Sequence, residues 1–285
     1  MINSRALAAR GRLHQWLKAH EATGVAVAFS GGVDSSYLLA EAQSVIPGRV
    51  LAITAKTAIV PAEEIREAVR LAHALGVRHC VEKFDVMALV NVRRNPPDRC
   101  YHCKRFLFKA LMAKAAQMGF GILADGSNAD DDQDYRPGRR AVVELGVATP
   151  LKDAGLCKAD IRELSREMGL PTAAKPSMAC LASRIPYGTE LTMARLQAVA
   201  ALESMLRREG FPQVRVRHHG QVARVEVEPG AMPRLLDEAL RRKVARTARR
   251  AGFLYVALDL TGYVTGSMNR AILKKARPAA SAVKR

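Results

Sequence analysis

Apolar and polar positions along the first 170 residues fall into blocks of two kinds. Val25-Ala26-Val27-Ala28-Phe29 is apolar at every position over the length of one strand. Ser35 to Ser44 then follows a helical period, and Val50 to Thr54 reads as a second strand. Pro61 to Leu75 has Pro at its start, Glu63 and Glu64 in its first turn and Gly76 just past its end, which are helix start and stop signals. Val77 to Val81 reads as a third strand, Lys104 to Met118 as a helix stopped by Gly119, and Gly121 to Ala124 as a fourth strand. Lys158 to Met168 closes this part as a helix before Gly169-Leu170-Pro171. Strands alternating with helices predict an α/β fold, a doubly wound parallel sheet covered on both faces. Burial on both faces also accounts for strands that are apolar throughout.

The remainder has a different pattern. Thr192 to Glu209 predicts a long helix. Val214 to Arg217 and Val222 to Val227 alternate, and His218-His219-Gly220-Gln221 between them predicts a hairpin. Pro233 to Ala251 reads as a basic helix and Leu254 to Leu258 as a last strand. The expected division is residues 1–175 as the α/β domain, 176–272 as a smaller C-terminal α+β domain, and 273–285 as a disordered basic tail.

Composition narrows the class. The 285 residues include 49% apolar side chains, enough for a sizeable core. No apolar run is long enough to cross a bilayer, and Met1 to Arg12 lacks the apolar stretch of a signal peptide. Five cysteines, Cys80, Cys100, Cys103, Cys157 and Cys180, are an odd number in a long chain and do not suggest a disulfide framework. A cytoplasmic protein is expected. The net charge of +18 suits a phosphorylated partner, although an arginine-preferring genome explains it equally well. From Ala201 onward there are 18 Lys and Arg against 7 Asp and Glu.

The first chemical signal is Ser30-Gly31-Gly32-Val33-Asp34-Ser35, set between an apolar strand and a helix. The first N–H groups of a helix lack partners, and the helix dipole favours an anion there. Two glycines let the backbone approach phosphate closely. Ser30 and Ser35 add hydroxyl donors. A carboxylate beside phosphate calls for a cation between them, so Asp34 suggests Mg²⁺. The second signal is Asp125-Gly126-Ser127-Asn128-Ala129-Asp130-Asp131, which follows the fourth strand. Ligands of doubly wound sheets bind at the carboxyl ends of strands, so the two segments should meet there. Asp125, Asp130, Asp131, Asp132 and Asp134 crowd this stretch as candidate cation ligands.

The first segment resembles the S-G-G-x-D-S signature of PP-loop ATP pyrophosphatases, whose fold is that of the adenine nucleotide alpha hydrolases. The second resembles the D-G-S/T-N-x-D-D segment of the same superfamily. Three further stretches discriminate within it: Asn95-Pro96-Pro97-Asp98-Arg99-Cys100-Tyr101-His102-Cys103-Lys104, Lys175 to Gly188 around Cys180, and Val214-Arg215-Val216-Arg217-His218-His219-Gly220. Together with Leu260 to Asn269 they are similar to the LarE family of ATP-dependent sacrificial sulfur transferases.

That resemblance implies a reaction. ATP adenylylates a carboxylate of a pyridinium dicarboxylate mononucleotide and pyrophosphate leaves. A cysteine thiolate displaces AMP, and its Cβ–S bond then breaks to leave dehydroalanine, on the way to the nickel-pincer nucleotide of lactate racemase. Cys180 falls on the sacrificial cysteine, and Lys175 and Arg184 flank it with the positive charge that suits a thiolate. Ser30, Gly31, Gly32, Asp34, Ser35, Gly126 and Asn128 fall on the ATP site. Tyr101, Ser183, Arg184, Arg215, Arg217 and Glu203 fall on substrate positions, with Asp34, Asp131 and Glu226 as metal ligands. Arg215 and Arg217, two apart on a strand, point the same way and could grip a phosphate. The resemblance also implies a homo-oligomer.

Two alternatives stay open. A [4Fe–4S] cluster on Cys100, Cys103 and Cys180, or on a set that includes Cys80 or Cys157, would pass sulfide catalytically. A tRNA-thiolating enzyme would use the basic run Arg241 to Arg250, though 5% aromatics and the lack of an RNA-binding signature argue against nucleic acid.

Overall fold

The apolar strand runs form the middle of a four-stranded parallel sheet in the order β3-β2-β1-β4. The computed structural model describes residues 2–133, 137–177, 179–264 and 266, residues 132 and 133 by their backbone alone. Asp134, the expected tail and most of the 265–269 stretch lie outside the described residues. The chain folds into two compact units. One is built from the chain up to Val92 and again from Asp98 to just before Ala179. The other is built from Arg93–Pro97 and the chain from Ala179 onward.

In the first unit the order along the chain is α1 (Ser4–Ala19), β1 (Val25–Ala28), α2 (Val33–Val45), β2 (Val50–Lys56), α3 (Ala62–Ala74), β3 (Arg78–Lys83), α4 (Val90–Arg93), α5 (Arg99–Gln117), β4 (Ile122–Ala124), α6 (Gly138–Glu144), α7 (Pro150–Asp153) and α8 (Lys158–Glu167). Alternate residues of each central strand enter opposite clusters. Val25, Val27, Val50 and Ala52 join α1, α2, α3 and α8 on one face. Ala26, Leu51, Ile53 and Leu123 join Phe108 and Leu111 of α5 and Val142 of α6 on the other. This is why the strands are apolar at both parities. α1 is absent from the sequence reading. Asn3 caps it by accepting from the Ala6 N–H, and burial of Leu13 and Leu17 contributes about 1.5–3 kcal/mol each.

The expectation of apolar strands fails at β3. Arg78-His79-Cys80-Val81-Glu82-Lys83 is the sheet edge and is nowhere fully buried, so charged residues are tolerated along it. α5 begins at Arg99 instead of Lys104, which puts Cys100, Tyr101 and Cys103 in its first turns.

The second unit holds α9 (Met193–Arg208), the antiparallel pair β5 (Val214–His219) and β6 (Val222–Val227), α10 (Glu238–Arg250) and β7 (Tyr255–Leu258), which lies parallel to β6. Thr192 caps α9 by accepting from the Arg195 N–H, and α9 packs on β5; Leu202, Leu206, Val214 and Val216 are all buried. The expected helix over Pro233 to Ala251 is two elements. A 3-10 segment, Pro229–Leu236, contains Pro233, and α10 starts afresh where the Asp237 carboxylate accepts from the Leu240 N–H. Among the charges of α10, Arg242 pairs with Glu238 and Lys243 with Glu209. No helix among the described residues is long and apolar enough to cross a membrane.

Candidate active site

The sheet order reverses between β1 and β4, and the two motif segments leave the carboxyl ends of these neighbouring strands. That is the switch point where a doubly wound sheet opens a ligand crevice. Gly31 has φ of +68°, and a Cβ there would come within 3.0 Å of the Ala68 Cβ on α3, so the turn after β1 accepts only glycine without strain. Gly32 is the N-cap of α2 and offers no side chain to its first amides. Those N–H groups and the helix dipole favour an anion. The Ser30 and Ser35 hydroxyls lie 3.0 Å apart across the loop mouth.

The second segment presses on the same turn. A Cβ on Gly126 would stand 2.8 Å from the Ser35 backbone nitrogen. Asp125 is buried. One of its oxygens accepts from the Ser127 N–H at 2.7 Å and the other from Lys104 Nζ at 3.0 Å. Burial opposes its charge, but Lys104 and Ser127 prevail and hold the carboxyl below the usual carboxylate range. Asn128 is buried too. Its N–H donates to Asp131 and its side-chain oxygen accepts from the Asp130 N–H.

Lysines tie these loops together. Lys158, the first residue of α8, donates its backbone N–H to Asp130 and its Nζ to Asp34 Oδ2 at 2.5 Å. Asp34 Oδ1 is buried with no hydrogen-bond partner. A buried carboxylate oxygen with no partner fits a divalent cation, which needs few protein ligands when phosphate and water complete its shell. Lys175 reaches the Gly31 carbonyl at 3.0 Å together with Glu64 and Glu67. Burial works against its charge, yet the two glutamates raise its pKa. The ammonium of Lys175, expected beside the Cys180 thiol, braces the phosphate-loop turn within the first unit. Tyr101 donates to Glu144 at 2.8 Å, with the Arg140 guanidinium 3.6 Å above its ring.

The second unit carries Cys180 and a buried group of arginines. Arg184 is fully buried. Its Nε and Nη2 form a fork on Glu203 at 2.7 and 3.0 Å, and its Nη1 donates to the carbonyls of Ala179 and Cys180. Its charge is thus shared by Glu203 and the loop backbone, including the Cys180 carbonyl. The Ser183 hydroxyl donates to the Cys180 carbonyl at 2.8 Å. Glu203 also accepts from Arg207 and from the Val216 N–H. Burial opposes its charge, but Arg184 holds its pKa down. Arg217 forks onto Glu226 at 3.0 and 2.7 Å and donates to the Ser183 carbonyl.

Glu226 was expected as a metal ligand. Arg217 and Arg224 occupy both of its oxygens, so its carboxylate serves to hold guanidiniums. Arg215 lies 5.0 Å from the Tyr263 ring, and burial and then Arg184 push its pKa down to about 10. Arg184, Arg207, Arg217 and Arg224 share Glu203, Glu226 and Asp259, and Arg184, Arg215 and Arg217 are buried together in this unit. Among the described residues, no group of three or more His, Cys, Asp or Glu stands close enough to hold a metal ion.

Sequence reasoning missed Lys104, Lys158 and Asn95 as working residues. Lys158 had left a signal: a lysine in the first turn of a helix opposes the helix dipole, and such local conflicts mark functional positions.

Comparison with known proteins agrees with this geometry. A family profile described as Asparagine synthase matches residues 17–130, the stretch that holds both nucleotide segments. An uncharacterized protein of Synechocystis sp. is 39% identical over 87% of this chain and 92% of its own. The pyridinium-3,5-bisthiocarboxylic acid mononucleotide synthase of Lactiplantibacillus plantarum is 37% identical over 88% of this chain and 90% of its own. A tRNA-specific 2-thiouridylase of Desulforamulus reducens is 29% identical over 53% of this chain and 52% of its own. The tRNA thiolases match only half the chain, whereas the synthase aligns across both units, and it follows that this chain is an ATP-dependent sulfur transferase of the LarE family.

Proposed function

We propose that the chain adenylylates the carboxylates of a pyridinium dicarboxylate mononucleotide and sulfurates them from Cys180. The observation that carries this reading is the grouping of three buried guanidiniums, Arg184, Arg215 and Arg217, in the unit that also bears Cys180. Grouped guanidiniums match an anion such as phosphate, which they hold by paired N–H donors. The phosphate of a mononucleotide supplies one and leaves the aromatic acid free to react.

ATP binds at Ser30, Gly31, Gly32, Ser35, Gly126 and Asn128. The α2 amides and the two serine hydroxyls hold the departing pyrophosphate. Asp34 would hold Mg²⁺, with Asp131 nearby as a further candidate, and the ion would neutralise charge as pyrophosphate leaves. Lys158 and Lys104 add positive charge around the same oxygens.

The sulfur step follows from acyl chemistry. The Cys180 thiolate attacks the acyl adenylate, a C–S bond forms, and AMP leaves with the electrons of the C–O bond. Loss of the Cys180 α-proton to a base then expels a thiocarboxylate as the Cβ–S bond breaks, leaving dehydroalanine. No oxidant is needed. Ser183 and Arg184 fix the Cys180 carbonyl, and Tyr101 offers an aromatic face to the substrate.

The reading includes a cytoplasmic, homo-oligomeric protein. Leu236, Leu254, Tyr255 and Val256 are exposed apolar residues beside a groove of about 470 Å³, which supports self-association. The test of function is pyrophosphate release from ATP that depends on the dicarboxylate mononucleotide. A Cys180→Ala protein should still release pyrophosphate but give no sulfurated product. Release without dependence on that substrate would remove the proposal.

A further inference from the structure

Asn95 is a non-glycine residue in the left-handed region, with φ of +57°, and it is fully buried. Asparagine tolerates that conformation better than most residues, but a buried instance needs surroundings that hold it there. The surroundings are the loop that follows Cys180. The carboxamide nitrogen of Asn95 lies 3.2, 2.8 and 3.1 Å from the carbonyl oxygens of Ile185, Pro186 and Thr189. Three carbonyls facing one amide end fix its orientation, because the carboxamide oxygen would be repelled there.

The backbone completes the clamp. The Gly188 N–H donates to the Asn95 carbonyl at 2.9 Å, and the Leu191 N–H donates to the Arg93 carbonyl at 2.8 Å. Arg93 also pairs with Glu190 at 3.1 Å. The segment Arg93–Pro97 belongs to the second unit, although the residues on both sides of it belong to the first. The cysteine-bearing loop is thus held twice. Arg184, anchored on Glu203, fixes its start by the carbonyls of Ala179 and Cys180. Asn95 fixes its end.

We infer that Asn95 is a positioning residue for sulfur transfer: its carboxamide locks residues 185–189 so that the loop presents Cys180 in one geometry. The inference rests on the function proposed above. Thiolate attack on an acyl adenylate is sensitive to placement, and a misplacement of about 1 Å can cost on the order of 10²-fold in rate. Adenylylation precedes this step and does not require the placement of the Cys180 thiol.

The experiment compares Asn95→Gly, Asn95→Ala and Asn95→Asp with the unaltered protein. Glycine keeps the left-handed backbone and removes only the amide, which protects against loss of folding. Aspartate keeps the shape but points an oxygen at three carbonyls. The first readout is the rate of Cys180 alkylation by iodoacetamide, mapped by mass spectrometry with Cys157 as the internal control. All three variants should alkylate faster at Cys180 and unchanged at Cys157. The second readout is single-turnover loss of sulfur from Cys180 beside pyrophosphate release in the same samples. Transfer in Asn95→Gly should fall by about 10- to 100-fold, with the KM for ATP and pyrophosphate release held. Unchanged Cys180 alkylation in Asn95→Gly and Asn95→Ala overturns the inference, as does a parallel fall of release and transfer. If the unaltered protein keeps its Cys180 sulfur, the functional reading fails instead, and the alkylation comparison still decides the role of Asn95.

Discussion

Lys158 Nζ stands 2.5 Å from Asp34 Oδ2, while the other oxygen of Asp34 is buried without a partner. The pair joins the first turn of α2 to the first turn of α8 at the mouth of the phosphate loop. In the proposed function Asp34 would hold the cation and Lys158 would be freed to meet phosphate. Lys158→Ala should raise the KM for ATP by about 10- to 100-fold, the size of one charge-assisted hydrogen bond of about 1.5–3 kcal/mol. Steady-state pyrophosphate release checks it. An unchanged KM would mean that Lys158 only braces Asp34.

Gly126→Ala should abolish ATP use without unfolding the protein. The new Cβ would meet backbone, the Ser35 nitrogen at 2.8 Å, so no side-chain rotation can relieve it. Overpacking of this kind costs about 1–3 kcal/mol. Calorimetry should show a modest fall in Tm and no nucleotide binding. Normal binding would mean that the two loops can separate freely.

These two positions also mark how much was legible in the sequence. The apolar runs and the Gly-rich turns announced the central strands, the parallel sheet and the phosphate loop, because burial on both faces and a strand-to-helix turn leave local patterns. Long-range ties left none. Glu203 lies mid-helix on α9, where the i,i+4 spacing signals Arg207, but nothing nearby reveals that Arg184 and the Val216 N–H also converge on it. Lys175 sits close to Cys180 in sequence, which suggested a thiol partner, but its ammonium meets Glu64, Glu67 and Gly31. Asn95 looked like one letter of a motif until its carboxamide met three carbonyls some ninety residues on.

Glu203→Ala should be among the most damaging substitutions in the second unit. It strands Arg184, which is fully buried, without its carboxylate. Removal of one partner of a buried ion pair costs about 3–5 kcal/mol. Denaturant unfolding should place Glu203→Ala that far below the unaltered protein, and a loss under about 1 kcal/mol would contradict the buried-pair account.

Acid should weaken the fold through its histidines. Burial lowers the pKa of His79, and the same cause leads for His218 and His219. A group whose folded pKa is depressed takes up its proton more readily in the unfolded chain. Stability is therefore held above the ordinary histidine range, near pH 6.5, and declines as pH falls below it. Tm measured from pH 8 down to pH 5.5 should drop through that window, and less so in His79→Gln. A flat profile would contradict it.

The central claim is that Cys180 gives up its own sulfur. Intact-protein mass spectrometry after incubation with ATP, Mg²⁺ and the pyridinium dicarboxylate mononucleotide tests it most directly, with Cys180→Ala as the control. The account predicts loss of the elements of one H₂S per chain, mapped to residue 180 and absent from the control. An unchanged mass alongside continued formation of sulfurated product would contradict it and require a sulfur donor other than Cys180.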